Sequence, residues 1–136
     1  MLDYGCGTGI LFLQLKAGAG HLFGTDIDIK PASDVLKAHS RTDISLFLVQ
    51  DLDQKIVDHT FDIIISLEVL EHVADLKQTI ILVKKKLKRD GHLIISGPTD
   101  NRFYSILRRI AGFTGEYHHR DIYQIVDVIE DLGFRI

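Results

Sequence analysis

The sequence predicts an α/β fold: a doubly wound, mainly parallel sheet held between two layers of helices, giving three layers, α/β/α. Three observations predict it. Short apolar runs alternate with segments whose apolar residues recur every three or four positions. One run, "FDIIIS", is rich in β-branched residues and does not alternate, as suits a strand buried on both faces of a parallel sheet. A glycine-rich turn, "GCGTG", links the first run to the first helical segment. Repeated strand, helix and strand imply right-handed crossovers within one sheet.

Each element has its own local reason. "MLDY" is the first strand and stops at the glycines. "ILFLQLKA" reads as a helix broken by "GAG" at residues 18–20. "HLFGTD" is the second strand, ending at Asp26. Pro31 suits the first turn of a helix, so a second helix is expected over 31–39. "ISLFLVQ" forms the third strand and "FDIIIS" the fourth. From Glu68 to Asp90 a single helix is expected, with Val69, Val73, Leu76, Ile80, Val83 and Leu87 in one stripe. Lys84, Lys85, Lys86, Lys88 and Arg89 crowd its end, where cations complement the helix dipole and keep the surface soluble. Gly91 is expected to cap it. "HLIIS" is the fifth strand, and a short helix over 101–111 stops at Gly112. Asp121 reads as the N-cap of a last helix that presents Ile122, Ile125, Val126 and Ile129 and ends at Gly133. "FRI" then looks like the start of a further strand.

Bulk properties narrow the function. A chain of 136 residues suits one domain, residues 1–136, and 46% hydrophobic residues can fill a core. The net charge of −3 opposes a primary role in gripping nucleic acid, which needs a basic face. The single cysteine, Cys6, excludes an internal disulfide and a cysteine-based zinc site, and fits a reducing cytoplasm. No apolar run approaches the ~18 residues of a membrane span, and "MLDYGCGTG" lacks the charged and apolar regions of a signal peptide.

In doubly wound sheets ligands bind beyond the carboxyl ends of the strands. The notable residues fall there: Gly5, Gly7 and Gly9 after the first strand, Asp26 at the end of the second, Asp51 after the third, Leu67 and Glu68 after the fourth. The glycines let backbone approach a ligand, and the following helix would offer N–H groups to an anion. The spacing D-x-G-x-G-x-G is tighter than the dinucleotide fingerprint G-x-G-x-x-G, which disfavours a pyrophosphate and hence a nicotinamide-dependent oxidoreductase. A small carboxylate beside a cation fits as well. Asp26 can accept from both hydroxyls of a ribose. Asp51 can accept from an adenine amino group, and Leu52 can pack on the ring.

These segments, "LDYGCGTG", "GTDID", "VQDLD", "FDIIISLEVLEHV" and "LKRDGHLIIS", resemble the successive motifs of class I S-adenosylmethionine-dependent methyltransferases. The resemblance is nearest to the broad group that includes the ubiquinone and menaquinone biosynthesis enzymes, and covers nearly the whole chain. It implies a Rossmann-like fold and S-adenosyl-L-methionine as cofactor. By resemblance, Asp3, Gly5, Cys6, Gly7 and Gly9 surround the methionine part; Asp26 holds the ribose with Ile27 beside the adenine. Asp51 and Leu52 frame the adenine, while Ser66, Leu67 and Glu68 lie near the sulfonium and the acceptor. The implied acceptor is a small molecule: lipid-linked, quinone-like or a glycan precursor.

Methyl transfer needs alignment first, and a base only for a weakly nucleophilic acceptor. His72 is the residue expected to serve as base. It lies four positions after Glu68, which would place both on one helix face, with Glu71 pointing elsewhere. "GEYHHRD", residues 115–121, reads as a solvated or substrate-contacting loop. Its adjacent His118 and His119 lack helical metal-pair spacing, so no metal is expected. Arg102, Arg108 and Arg109 read as a solvated face or as steering groups for an acidic or membrane-associated acceptor. Relatives carry helices before the first strand and two further strands after the last helix, so the chain reads as truncated at both ends. An uncovered sheet edge would then favour pairing with a second copy. The rival expectation is a cofactor-binding module without catalysis.

Overall fold

The computed structural model describes residues 1–16, 18, 20–99 and 120–136. Its frame is a five-stranded, wholly parallel sheet in the order β3-β2-β1-β4-β5. The strands are β1 (Leu2–Tyr4), β2 (Leu22–Asp26), β3 (Ile44–Leu48), β4 (Phe61–Leu67) and β5 (Leu87–Ser96). Helices α1 (Ile10–Gln14) and α2 (Lys30–Ala38) pack on one face; α3 (Leu52–Lys55), α4 (Leu76–Lys86) and α5 (Ile122–Asp131) pack on the other. Strand alternation sorts the two cores. Leu2, Phe23 and Ile64 join the cluster with Leu52, Phe61 and Val83, whereas a Cβ on Gly24 would meet Phe12 and Cys6 on the other side. The expected doubly wound, three-layer architecture is therefore the observed one. Switching direction between β2 and β4 around β1 puts the crevice beyond the carboxyl ends of these strands.

Several element boundaries differ from expectation. The helix expected over 68–90 is three pieces. A single 3-10 turn covers Leu70–His72, α4 starts only at Leu76, and Leu87 already belongs to β5. Asp75 starts α4 by accepting from Gln78 N at 3.0 Å. Gly91 does not cap a helix but sits inside β5, where a Cβ would come within 3.0 Å of Phe61 O. The ladder shifts register there, with Phe61 opposite Leu87 and Ile63 opposite His92. The short helix α3 was not expected. α1 stops at Gln14, three residues early, and Arg41 Nη1 takes up the carbonyls of Phe12 and Leu15 beyond it. Residues 134–136 form no strand; Phe134 packs on the core instead. The Asp121 N-cap is as expected and is one half of a full capping box with Gln124.

The lysine run also divides. Lys86 is 1% exposed, and its Nζ donates to Ile56 O at 2.7 Å and to Asp58 Oδ1 at 2.8 Å, with Asp53 Oδ1 at 2.7 Å. It ties α3 and the following loop to α4 rather than serving solubility. No helix among the described residues is long and apolar enough to cross a membrane. The expected helix over 101–111, with Arg102, Arg108 and Arg109, lies outside the described residues, as do residues 115–119 of the "GEYHHRD" loop.

Candidate functional site

The glycine turn is built by β2 as much as by itself. Gly5 N and Cys6 N both donate to Thr25 O, at 2.8 and 3.0 Å, and Gly9 N donates to Cys6 O at 2.7 Å. Gly7 N donates to Asp26 Oδ2 at 2.7 Å. These four N–H groups are thus committed within the protein, and α1 has only five residues. They fasten the turn to β2 and to itself. Gly5 has φ +82, and a Cβ there would lie 2.7 Å from Val69 Cγ1 and nearer still to Cγ2. This close approach brings the turn after β1 against the segment after β4.

Beyond these strand ends lies an open pocket of about 440 Å³, within the range of small-molecule sites. The acidic residues Asp26 and Glu68 and the histidine His72 lie in its wall. Ile27, Val49, Val69 and Val73 contribute apolar surface, Tyr4 and Gly5 a floor from β1. Among the described residues no lysine or arginine lines it. Such a wall suits a cationic ligand with hydroxyl groups and an apolar ring, and opposes a phosphate. A larger cavity of about 1250 Å³ runs along β5, beside Lys84, His92 and Phe134, and holds none of the expected site residues. The smaller pocket is the functional candidate, because it lies where a doubly wound sheet presents its loops.

The structure brings together Gly5, Asp26, Ile27, Glu68 and His72 in that wall. Asp26 accepts from Gly7 N and, through Oδ1, from Ile27 N at 2.7 Å, so its carboxylate is fixed before any ligand arrives. Ile27 is 85% exposed, an apolar side chain held in the open beside it. Asp3 is buried close by; burial first, then the charge of Asp26, pushes its carboxyl up to about 6. Cys6 is buried too. Burial, with Asp3 and Asp26 behind it, pushes the thiol up to about 12, so it stays protonated and is no nucleophile. Gly7 is exposed at the tip, while Gly9 is buried against Ala32.

Other expected residues stand differently. Leu52 is fully buried, packed in the core with Leu2 and Phe47, so it cannot lie on a ligand ring; Val49 is the apolar residue after β3 that reaches the pocket. Asp51 pairs with Lys55 at 2.8 Å, outside the pocket wall. Ser66 is buried within β4, and its hydroxyl has no hydrogen-bond partner among the described residues. Leu67 is partly exposed at the strand end. Glu68 and His72 do not share a helical face: Glu68 leaves β4 at φ +55, and His72 closes the 3-10 turn. Both nevertheless reach the pocket. Glu71, expected to point elsewhere, is fully buried, with Oε1 3.8 Å from His72 Nε2. Arg120 donates to Val73 O at 2.8 Å and to Ala74 O at 3.3 Å, fastening the segment that follows His72.

Comparison with known proteins agrees in one direction. A family model described as "Methyltransferase domain" matches residues 2–95. A ubiquinone biosynthesis O-methyltransferase of Bartonella quintana is 32% identical over 99 residues, 71% of this chain and 40% of that protein. The mitochondrial ubiquinone biosynthesis O-methyltransferase of Schizosaccharomyces pombe is 32% identical over 103 residues, 71% of this chain and 36% of that protein. The chain thus spans about 40% of the length of such curated relatives. Among solved structures, a SAM-dependent methyltransferase from Aquifex aeolicus superposes with a TM-score of 0.75 at 16% identity, covering 98% of this chain and 71% of that one. At that identity the likeness speaks for the fold.

Proposed function

Because this chain belongs to the methyltransferase-domain family, the class I S-adenosylmethionine-dependent methyltransferases, we propose that it binds S-adenosylmethionine in the pocket beyond β1, β2 and β4 and methylates a hydroxyl of a small, quinone-like acceptor. The observation that carries the reading is the pocket wall itself: Asp26, Glu68 and His72 beside the exposed Ile27 and the partly buried Val49, Val69 and Val73. The bound cofactor would supply an electrophilic methyl group on a sulfonium cation.

The chain's own residues then divide the work. Asp26 holds the ribose: a carboxylate has about four acceptor sites, and the N–H groups of Gly7 and Ile27 use only part of them. Ile27 and Val49 flank the adenine, with Asp51 nearby. Gly5 would meet the methionine part from the pocket wall, with Asp3, Cys6, Gly7 and Gly9 shaping the turn behind it. Leu67 and Glu68, with the Ser66 backbone behind them, face the acceptor. His72, half exposed in the wall, takes the proton that the acceptor hydroxyl must lose. The choice of a hydroxyl and of a quinone-like acceptor follows the two O-methyltransferase relatives.

Calorimetric titration with S-adenosylmethionine, S-adenosylhomocysteine and NAD tests the first half, with binding expected for the two sulfur compounds only. Absence of both would refute the reading. Transfer of labelled methyl to a panel of phenols, catechols and hydroquinones tests the second half. His72→Ala is expected to lower turnover at least tenfold and to change cofactor affinity less than twofold. Unaltered turnover would remove His72 from the reaction; binding without transfer by the parent chain would favour a cofactor-binding module.

A further inference from the structure

We propose that Ser96 is a positioning residue for Glu68: its hydroxyl turns the Glu68 carboxylate toward the pocket, where that carboxylate accepts a hydrogen bond from the acceptor's hydroxyl. The acceptor half of this statement rests on the function proposed above; the contact between Ser96 and Glu68 does not.

Glu68 is the first residue after β4, and its φ of +55 lies in the left-handed region. A residue with a Cβ is uncommon there, and such a conformation persists only where its surroundings enforce it. Glycine would adopt it freely, so the presence of a glutamate marks a side chain with a use. Ser96 supplies two contacts that hold it. Ser96, the last residue of β5, stands opposite Leu67 in the ladder. Its carbonyl accepts from Glu68 N at 3.2 Å, and its Oγ donates to Glu68 Oε1 at 2.7 Å. Backbone and side chain of Glu68 are therefore both held from the end of the adjacent strand.

Glu68 itself belongs to the same wall as Asp26, Gly5 and His72. One serine hydroxyl leaves it free acceptor sites. Its chemistry at the pocket mouth is that of a hydrogen-bond acceptor for a hydroxyl. Ser96 itself is not part of the wall, so its effect must pass through Glu68.

The test uses the whole chain and the variants Ser96→Ala, Ser96→Thr and Glu68→Gln. Three-bond NMR couplings of the Glu68 side chain, measured without ligand, should report one rotamer in the parent, averaging in Ser96→Ala, and one rotamer again in Ser96→Thr. Calorimetry with 3,4-dihydroxybenzoate on protein saturated with S-adenosylhomocysteine should show about five- to tenfold weaker binding for Ser96→Ala and Glu68→Gln, restored by Thr. Affinity for S-adenosylhomocysteine should stay within twofold. Averaged couplings in the parent, or Ser96→Ala couplings like the parent's, would overturn the positioning role. A parent that takes S-adenosylhomocysteine but not the catechol would overturn the acceptor role of Glu68. A parent that takes neither refutes the proposed function, while the couplings still decide whether Ser96 holds Glu68.

Discussion

Gly5→Ala tests the joint between the glycine turn and the segment after β4. Two costs arise at this position. At φ +82 an alanine is strained, by about 1–2 kcal/mol. Its Cβ would also lie 2.7 Å from Val69 Cγ1, and overpacking of this kind costs about 1–3 kcal/mol. Together they come to about 3 kcal/mol. For 136 residues the unfolding entropy is about 0.29 kcal/mol/K, so the melting temperature should fall by roughly 10 °C. Val69→Ala removes both methyl groups and leaves the backbone cost with a milder contact, the Cβ of residue 69 at 3.0 Å. In that background, Gly5→Ala should destabilise by about 1–2 kcal/mol. Thermal unfolding of the four members of the cycle gives the coupling directly. Because Val69 lines the pocket, the single variant should also weaken S-adenosylhomocysteine binding more than the double variant does. Equal destabilisation in both backgrounds would refute the close approach, and a neutral Gly5→Ala would refute the left-handed turn as well.

Two further outcomes are expected. Asp3 holds its proton up to about pH 6 in the folded chain against a reference of 3.8, so the native state binds more protons than the unfolded state across that window and stability falls as pH rises through it. Asp3→Asn should therefore raise stability above pH 6 by up to about 3 kcal/mol and change it little below pH 3.8, read from urea unfolding at several pH values; a pH-independent difference would refute the burial of a charge. Lys86→Met should lower stability by about 1–3 kcal/mol in the same assay, because the carbonyl of Ile56 loses its donor while Asp53 and Asp58 return to water; an unchanged midpoint would show that the lysine holds nothing.

Strand ends made the site legible. Gly5, Asp26, Glu68 and His72 lie in the pocket because ligands of a doubly wound sheet meet the loops at the carboxyl ends of its strands, and that rule needs only the order of elements. Ser96 closes β5, and the same rule carried one strand further points to it. Direction of side chains was harder. Leu52 and Val49 both follow β3, but α3 turns Leu52 into the core. No spacing in "VQDLD" distinguishes the two, because a four-residue helix leaves no periodicity to read.

The misread helix has a different cause, and a local remedy. Val69, Val73, Leu76, Ile80, Val83 and Leu87 have helical spacing, yet they come from a pocket wall, a helix and a strand that all pack against the same side of the sheet. Shared burial imitated a single period. The start of the true helix was nevertheless written in the sequence as "DLKQ". Asp75 accepts from Gln78 N there, just as Asp121 accepts from Gln124 N in "DIYQ". The second signature was read as a helix start because it stands outside a stripe; the first was hidden within one. Reading Asp75 as a cap shifts the stripe to Leu76, Ile80, Val83 and Lys86, which are the buried residues of α4. It leaves Leu87 to the strand and turns Lys86 inward to Asp53 and Asp58. A capping residue should therefore outrank an apolar period wherever the two disagree, since the cap satisfies backbone donors that a continuous helix at that point would already have used.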